Sequence, residues 1–448
     1  MLSITSQYLA RYRRLDTGEG TLLPVTGAQR RFVLVRALDP SGRPDLVPMF
    51  FAFPRGTVDP ARLSAAVNRL AARHPVLRGR PAVVRGTPVL RLARPDAADV
   101  PVVRVSHAPG EDATAALRRA LGAWTPDGPP LRLFLSEGVA DRSPGPAVDG
   151  TRHGHDAAHD VLAVVLDHTA CDGQSLARIV EELEAAYAEG TRAPGPAPAD
   201  IAAELAAYRE AVLLQLDAEE RATSPDALAY WGARLRGSRE QAPAPRPGPP
   251  AGGGPPSGSV SVLLPSPRAG VPFPELLDAC RAAARVLYGP GHVVPLGYPW
   301  GGRPPGAERV LGCFLNTVVF PAATAAASSG AEATAEAWWD DLDRADVPFD
   351  AVVHAAREAG SGWSGRLDGM LTVDDTARRP ALRLDGVEGR EVHIDGRAVR
   401  GPFAVSVTQG RELHLRMVWD RAVLADHTAR DAFDTLAGTL RATAPAAG

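Results

Sequence analysis

Residues 162–187 read LAVVLDHTACDGQSLARIVEELEAAY, and the fold turns on the change of pattern inside that stretch. The apolar run at 161–166 has the length and β-branched content of a strand buried on both faces. After a short polar turn, Leu176, Ile179, Val180, Leu183 and Tyr187 recur at the spacing of one helix face, which predicts an amphipathic helix over 175–188. A buried strand feeding a helix through a tight turn is the repeating unit of α/β folds. The turn holds His168 and Asp172, four residues apart, where side chains can be fixed against a helix N-terminus. A His in that place can accept a proton near neutral pH, and neighbouring backbone N–H groups can stabilise an oxyanion. Gly173 lets a backbone or a substrate approach closely. These residues suit acyl transfer with a His base and no serine elbow of the GxSxG type. The same spacing also fits an ordinary strand-end His followed by a capping Asp.

Working outward, the N-terminal half alternates strands and helices. A helix is predicted from the Asp59-Pro60 start to the His74-Pro75 stop. Strands are predicted at 82–84, 89–92, 100–105 and 131–135, with a helix over 112–124. The polar stretch 137–160 reads as a long hairpin loop between antiparallel strands. It contains His153, His155 and His159, but the Gly, Pro and Asp around them suit a solvated loop, and no metal site is expected. The Pro-rich TRAPGPAPAD at 191–200 is the expected lobe boundary, dividing the chain into 1–192 and 193–448. Helices follow at 200–219 and 227–235, then a Pro/Gly-rich loop at 242–259. The second half repeats the mixed pattern, with strands at 260–264, 315–320, 383–387, 392–394, 405–408 and 413–419. Its helices are at 274–286, 334–343 and 422–442.

Composition narrows the function. The 448 residues are 45% hydrophobic and 23% charged, a globular balance with ample length for a large core. The net charge of −3 shows no basic surplus, so nucleic acid is not an expected partner. Every basic side chain apart from His is Arg; the chain has no Lys. This excludes a Walker phosphate loop, a pyridoxal phosphate Schiff base, a kinase strand Lys and a Ser-x-x-Lys hydrolase. Cys171, Cys280 and Cys313 lie far apart and form no CxxC pair, which argues against zinc, iron–sulfur and disulfide frameworks. With no secretion signal or membrane-length apolar run, a cytoplasmic protein without a membrane role is expected.

Six motifs, in order, then bear a resemblance. DHTACDGQS at 167–175 resembles the HHxxxDGxS signature of nonribosomal peptide synthetase condensation domains, relatives of chloramphenicol acetyltransferase. TGAQRRF at 26–32 looks like the family's opening SxAQxR motif, and RHPVLRG at 73–79 like its RHExLRT motif. Tyr230-Trp231 resembles its YW pair, GGRPPGAERVLGCFLNT at 301–317 its GR segment followed by GxFxNT, and DVPFD at 346–350 its QDVPFE motif. The likeness runs from about residue 20 to about residue 440.

The resemblance implies two acetyltransferase-like lobes in a V shape around a central tunnel. It implies a carrier protein that presents an acyl thioester on phosphopantetheine, so no intrinsically bound cofactor is needed. The acceptor would be an amine, free or on a second carrier, and the product an amide. His168 matches the second His of the signature and would orient or deprotonate the nucleophile. Asp172 matches the structural Asp, with Arg303 the candidate ion-pair partner. Gly173 would keep the tunnel open, and Ser175 and Asn316 are candidates to line it. With no adenylation or carrier sequence flanking it, a stand-alone, monomeric enzyme of antibiotic or other secondary metabolism is the expectation.

The departure is Asp167, which replaces the first His of the signature. Successive strand residues point to opposite sides, so Asp167 should face away from His168 and serve in local hydrogen bonding. With Asp172 and Ser175 it also satisfies DxxxxDxxS, the signature of heterocyclisation domains. Ester formation, heterocyclisation and a catalytically silent, carrier-binding role are therefore the alternatives to amide formation.

Overall fold

The computed structural model describes residues 3–15, 21–38, 45–125, 127–140, 158–242, 254–265, 270–301, 303–324, 330–375 and 381–443. The apolar run of the opening stretch is the central strand of a five-stranded sheet: β7 (Ala158–Asp167) lies between β2 (Leu46–Pro54) and β6 (Leu131–Ala140). β14 (Arg390–Glu391) and β5 (Val102–Arg104) form its edges, and only the β5–β6 pair is parallel. One face of this sheet packs on α3 (Pro60–Arg73), α6 (Gly173–Glu189) and α7 (Pro198–Ala222). The other face meets α5 (Ala113–Gly122). Being covered on both sides is what the unbroken apolar run of β7 requires.

A small sheet, β1 (Leu22–Leu23), β4 (Thr87–Leu92) and β3 (Gly79–Val84), lies beside α1 (Ile4–Arg13), α2 (Gly27–Leu38) and α4 (Pro75–Arg78). The second half forms a six-stranded mixed sheet. Its order is β10 (Asn316–Ala323), β9 (Val293–Trp300), β11 (Gly369–Asp375), β15 (Phe403–Gln409), β16 (Glu412–Asp420) and β8 (Ser257–Pro265). α9 (Phe273–Tyr288) and α12 (Asp426–Thr443) supply the helical side of its core, with α8 (Pro225–Arg234), α10 (Ala331–Leu342) and α11 (Phe349–Glu358) alongside. The architecture is the mixed α/β class read from the sequence.

Several boundaries differ from the sequence reading, each for a local reason. The Pro-rich 191–200 stretch only joins α6 to α7, and Tyr187 of one and Tyr208, Val212 and Leu216 of the other share the N-terminal core. Ala227 and Trp231 of α8 belong to the second core. Of the predicted loop 242–259, residues 243–253 lie outside the described residues, while Ser257–Ser259 pair with β16 as the start of β8. Gly258 reads as loop composition, but its missing side chain leaves the space that the Trp419 ring occupies. Residues 383–387 form a hairpin of β12 (Arg383–Leu384) and β13 (Val387–Glu388) rather than one strand. Asp385 (φ 51°) and Gly386 (φ 78°) make the left-handed two-residue turn that Asp-Gly favours. The strand predicted at 392–394 is displaced to β14, and the last helix begins at Asp426 because Asp420 holds the preceding turn through the N–H groups of Ala422, Val423 and Leu424.

Two later segments cross back onto the first half. Ala307, Val310, Leu311 and Phe314 bury in the N-terminal core, as do Leu382 and Leu384. β14 then extends the five-stranded sheet through β2.

Candidate active site

β7 ends at Asp167 and α6 begins at Gly173, so the turn 168–172 joins a central strand to a helix N-terminus. The His168 backbone N–H donates to the Asp45 carbonyl (2.9 Å), which fixes the turn to the start of β2. Its ring stacks on Phe32 at 4.9 Å between centroids, and Nδ1 lies 3.0 Å from the Cys171 carbonyl oxygen. A carbonyl only accepts, so Nδ1 is the nitrogen that donates here, which leaves Nε2 as the nitrogen turned to other partners. Nε2 makes no hydrogen bond to the described residues.

Asp167 is buried and turned into the protein. One oxygen accepts from the Thr169 N–H (3.0 Å) and hydroxyl (2.7 Å), and the other meets Arg36 at 2.6 Å. Gln29, Phe32 and Arg36 are spaced three and four apart on α2 and so share a face. That face covers the turn: Gln29 donates to the Thr169 carbonyl at 2.7 Å, Phe32 stacks on His168 and Arg36 pairs with Asp167.

Asp172 caps α6 and ties it to the crossing segment. Oδ1 accepts from the Ser175 N–H (2.9 Å) and hydroxyl (3.0 Å) and from Arg303 (2.5 Å), and Oδ2 accepts from the Phe314 N–H (3.1 Å). Both members of the Asp172–Arg303 pair are buried, and Arg303 also donates to the carbonyls of Ala307 and Val310. The Ser175 hydroxyl is engaged too: its one hydrogen is shared between Asp172 Oδ1 and the Gly312 carbonyl at 2.8 Å, and its oxygen accepts from the Gly312 N–H at 3.1 Å. Asn316 stands apart from this cluster. It donates to the carbonyls of Ala345 and Val347, both at 2.7 Å, accepts from the Phe349 N–H, and lines a small cavity with Gly27, Glu219 and Trp300. Gly173 is exposed, and no protein atom lies within 4 Å of where a Cβ would sit.

The other motifs hold elements together. Thr26 donates to the Cys313 carbonyl at 2.7 Å, and Arg30 meets Glu219 and Asp350 at 3.2 and 3.5 Å. His74 stands between Glu182 and Glu204, at 2.6 and 3.4 Å. Tyr230 donates to Asp341, and the Trp231 indole to the Arg344 carbonyl. Burial pushes the Cys171 thiol well up, which keeps it protonated and removes it as a nucleophile. No cluster of metal-ligating side chains occurs among the described residues; His159 lies in β7, and His153 and His155 fall outside them.

Sequence reasoning did not single out Phe32, Arg36, Asp45 or Arg400. Asp45 is half-buried near His168 and forms an ion pair with Arg400; desolvation pushes its carboxyl up, against the fields of Arg400, His168 and Arg31. Phe32 was within a quoted motif, and a helix reading of 27–38 would have put Gln29, Phe32 and Arg36 on one face. Nothing local links Asp45 to Arg400.

No family model matches the chain. Its sequence is 25% identical over 445 residues to CymA, a probable non-canonical nonribosomal peptide synthetase of Salinispora arenicola, covering 86% of this chain and 5% of that protein. It is 29% identical over 325 residues to the antimetabolite synthetase AmbE of Pseudomonas aeruginosa, covering 69% of this chain and 14% of that protein. The chain thus spans a small part of these relatives. Among solved structures, it superposes on the cyclization-docking bidomain of EpoB from Sorangium cellulosum with a TM-score of 0.66 at 18% identity, over 96% of this chain and 86% of that one. The X-domain from teicoplanin biosynthesis gives 0.64 at 21% identity (93% and 95% covered). The starter condensation domain of rhizomide synthetase gives 0.61 at 16% identity (94% and 96% covered). The chain is therefore a condensation-type domain in fold. Its sequence similarity is to nonribosomal peptide synthetase machinery.

Proposed function

We propose that this domain joins an acyl group, delivered as a thioester on the phosphopantetheine arm of a carrier protein, to an amine. The observation that carries this reading is the His168 imidazole: Nδ1–H is held by the Cys171 carbonyl, the ring is braced by Phe32, and Nε2 has no partner among the described residues. The amine nitrogen attacks the thioester carbonyl, forming the C–N bond. His168 Nε2 takes the proton the nitrogen sheds and returns it to the sulfur as the C–S bond breaks, giving an amide and a thiol. Phosphopantetheine belongs to the substrate, and the chain supplies positioning and proton transfer.

Asp172, Arg303 and Ser175 hold the turn and act through His168 rather than on the substrate. Asp167, Asp172 and Ser175 spend their polar atoms on Arg36, Thr169, Arg303, Gly312 and Phe314, so the DxxxxDxxS match receives no group poised for cyclisation. An alcohol acceptor would use the same base and give an ester. A partner-binding role is the second reading: Asp167 departs from the signature, and one fold neighbour is an X-domain that forms a complex with OxyB.

The test is single-turnover thioester consumption with an amine present. His168→Ala is expected to lower the rate by about 100- to 10,000-fold, the range for a lost acid–base group, with an unchanged circular dichroism spectrum. A wild-type rate in that variant would remove His168 from the chemistry.

A further inference from the structure

The face of the six-stranded sheet turned away from its helices is polar. Leu371, Val405, Val407, Leu413, Leu415 and Met417 fill the core, so the alternate residues of β11, β15 and β16 face the other way. Strand register aligns them as Asp374, Thr408 and His414 in one row and Thr372, Ser406 and Arg416 in the next. Opposite stand Pro48 and Phe50 of β2, and the crossing segment from Glu391 to Arg397 closes the side. The space between holds a cavity of about 180 Å³. At about 30 Å³ per water, that is room for a group of several heavy atoms.

The charges inside are unequal. Arg416 is matched by an ion pair with Asp395. Arg397 packs against the Phe50 ring at 5.4 Å and donates Nε–H to the Ile394 carbonyl at 3.2 Å, and no carboxylate among the described residues pairs with it. Burial pushes its pKa down to about 10, so the guanidinium stays charged while most of its donors lack a protein acceptor. Arg397 is half-buried and feels the fields of Asp395 and Arg416 in opposite senses, so its remaining donors are open to an anion that enters the cavity. His393 and His414, with ring centroids 5.9 Å apart, add further polar atoms, while Asp374 and Glu391 sit at the exposed rim and have interactions of their own.

The cavity is also close to His168. Leu46 pairs with Asp167, and Pro48 and Phe50 follow two and four residues along β2, roughly 7 and 13 Å away at about 3.3 Å per residue. Arg400, three residues beyond Arg397, pairs with Asp45, whose carbonyl holds the His168 N–H.

We propose that this cavity binds a carboxylate carried by one of the two substrates, with Arg397 as its principal partner and Ser406, Thr408 and the two histidines completing the site. The proposal rests on the condensation reading for what the substrates are, and it names their class: one of them ends in an acid a short chain away from the reacting atom.

Calorimetric binding tests this without turnover, using the intact protein and its His168→Ala variant. One arm compares succinyl- with butanoyl-N-acetylcysteamine thioester, the other glutamic acid α-amide with glutamine α-amide. At least one acid is expected to bind tenfold or more tighter than its neutral counterpart, and the arm that shows it assigns the carboxylate to donor or acceptor. That preference should fall by about 10- to 100-fold in Arg397→Gln, the range for a lost charged hydrogen bond, and largely survive in Arg397→Lys. The His393 and His414 ring-proton signals of the wild-type protein should shift with the favoured acid. No preference for either acid, a preference that survives Arg397→Gln, or unmoved histidine signals would overturn the proposal, the last even if the variants do not fold. Acid preference without turnover would count against condensation alone, and turnover without acid preference against the cavity alone.

Discussion

Asp167 shows how much one residue's partner decides. Its carboxylate is spent on Arg36 and Thr169, so its replacement of the first signature His changes how the turn is anchored. Asp167→Ala leaves Arg36 without its partner and should lower stability by about 1–3 kcal/mol, while the rate per folded molecule stays within a few-fold; a hundredfold rate loss in a stable variant would place Asp167 in the chemistry. Asp172 is more deeply tied. Asp172→Ala removes a helix cap and strands buried Arg303, and should cost about 3–5 kcal/mol by denaturant titration. The Asp172→Ala/Arg303→Ala double variant should lose less than the two single variants summed; full additivity would mean the pair does not interact. At this scale the sequence showed the turn and the family likeness suggested Arg303, but Arg36, Asp45 and Arg400 stayed hidden because their partners are far away in the chain.

Among the elements, legibility followed pattern strength. β7 and α6 were plain from an unbroken apolar run and a clean 3.6 period, and α3 from its Asp-Pro start. α2, which carries the face that covers His168, was not read as a helix: its Arg30 and Arg31 are interior, so the usual apolar-in, charged-out contrast is blurred. Arg30 is buried against Glu219, and Arg31 packs over the Phe349 ring at 3.8 Å. β2 was missed because Pro48 and Pro54 punctuate its apolar run, and proline argues against a central strand. The helices are joined by charge as well as packing. Arg178 of α6 meets Glu204 of α7 at 2.6 Å, and His74 lies beside both Glu204 and Glu182. Burial alone would raise Glu204, but hydrogen bonds from His74 and Arg178 outweigh it and hold the carboxyl at about 2, below the ordinary 4.5. A depressed folded-state value means the stabilisation is present above about pH 4.5 and is lost as the pH falls toward 2. Glu204→Gln should therefore flatten part of the acid limb of a stability–pH curve; an unchanged limb would show that this network does not link folding to pH.

For the molecule as a whole, composition and the alternation of elements gave the mixed α/β class, and ordered motifs gave the family likeness. What neither could show is that the halves interleave. The 301–317 segment buries Phe314 in the N-terminal core and sends Arg303 to Asp172, and the 381–400 segment adds β14 to the N-terminal sheet and Arg400 to Asp45. The turn that carries His168 is thus held by residues from both ends of the chain, which suits a site where two substrates meet. The measurement that tests this most directly is intact-mass analysis of an acyl-loaded carrier protein mixed with an amine, with the wild-type protein or His168→Ala. The account predicts loss of the acyl mass from the carrier and an amide of donor plus amine, with the wild-type protein only. A carrier that binds the protein yet keeps its acyl group with every amine and alcohol offered would contradict it, and a product lighter by one further water would replace simple condensation with cyclisation.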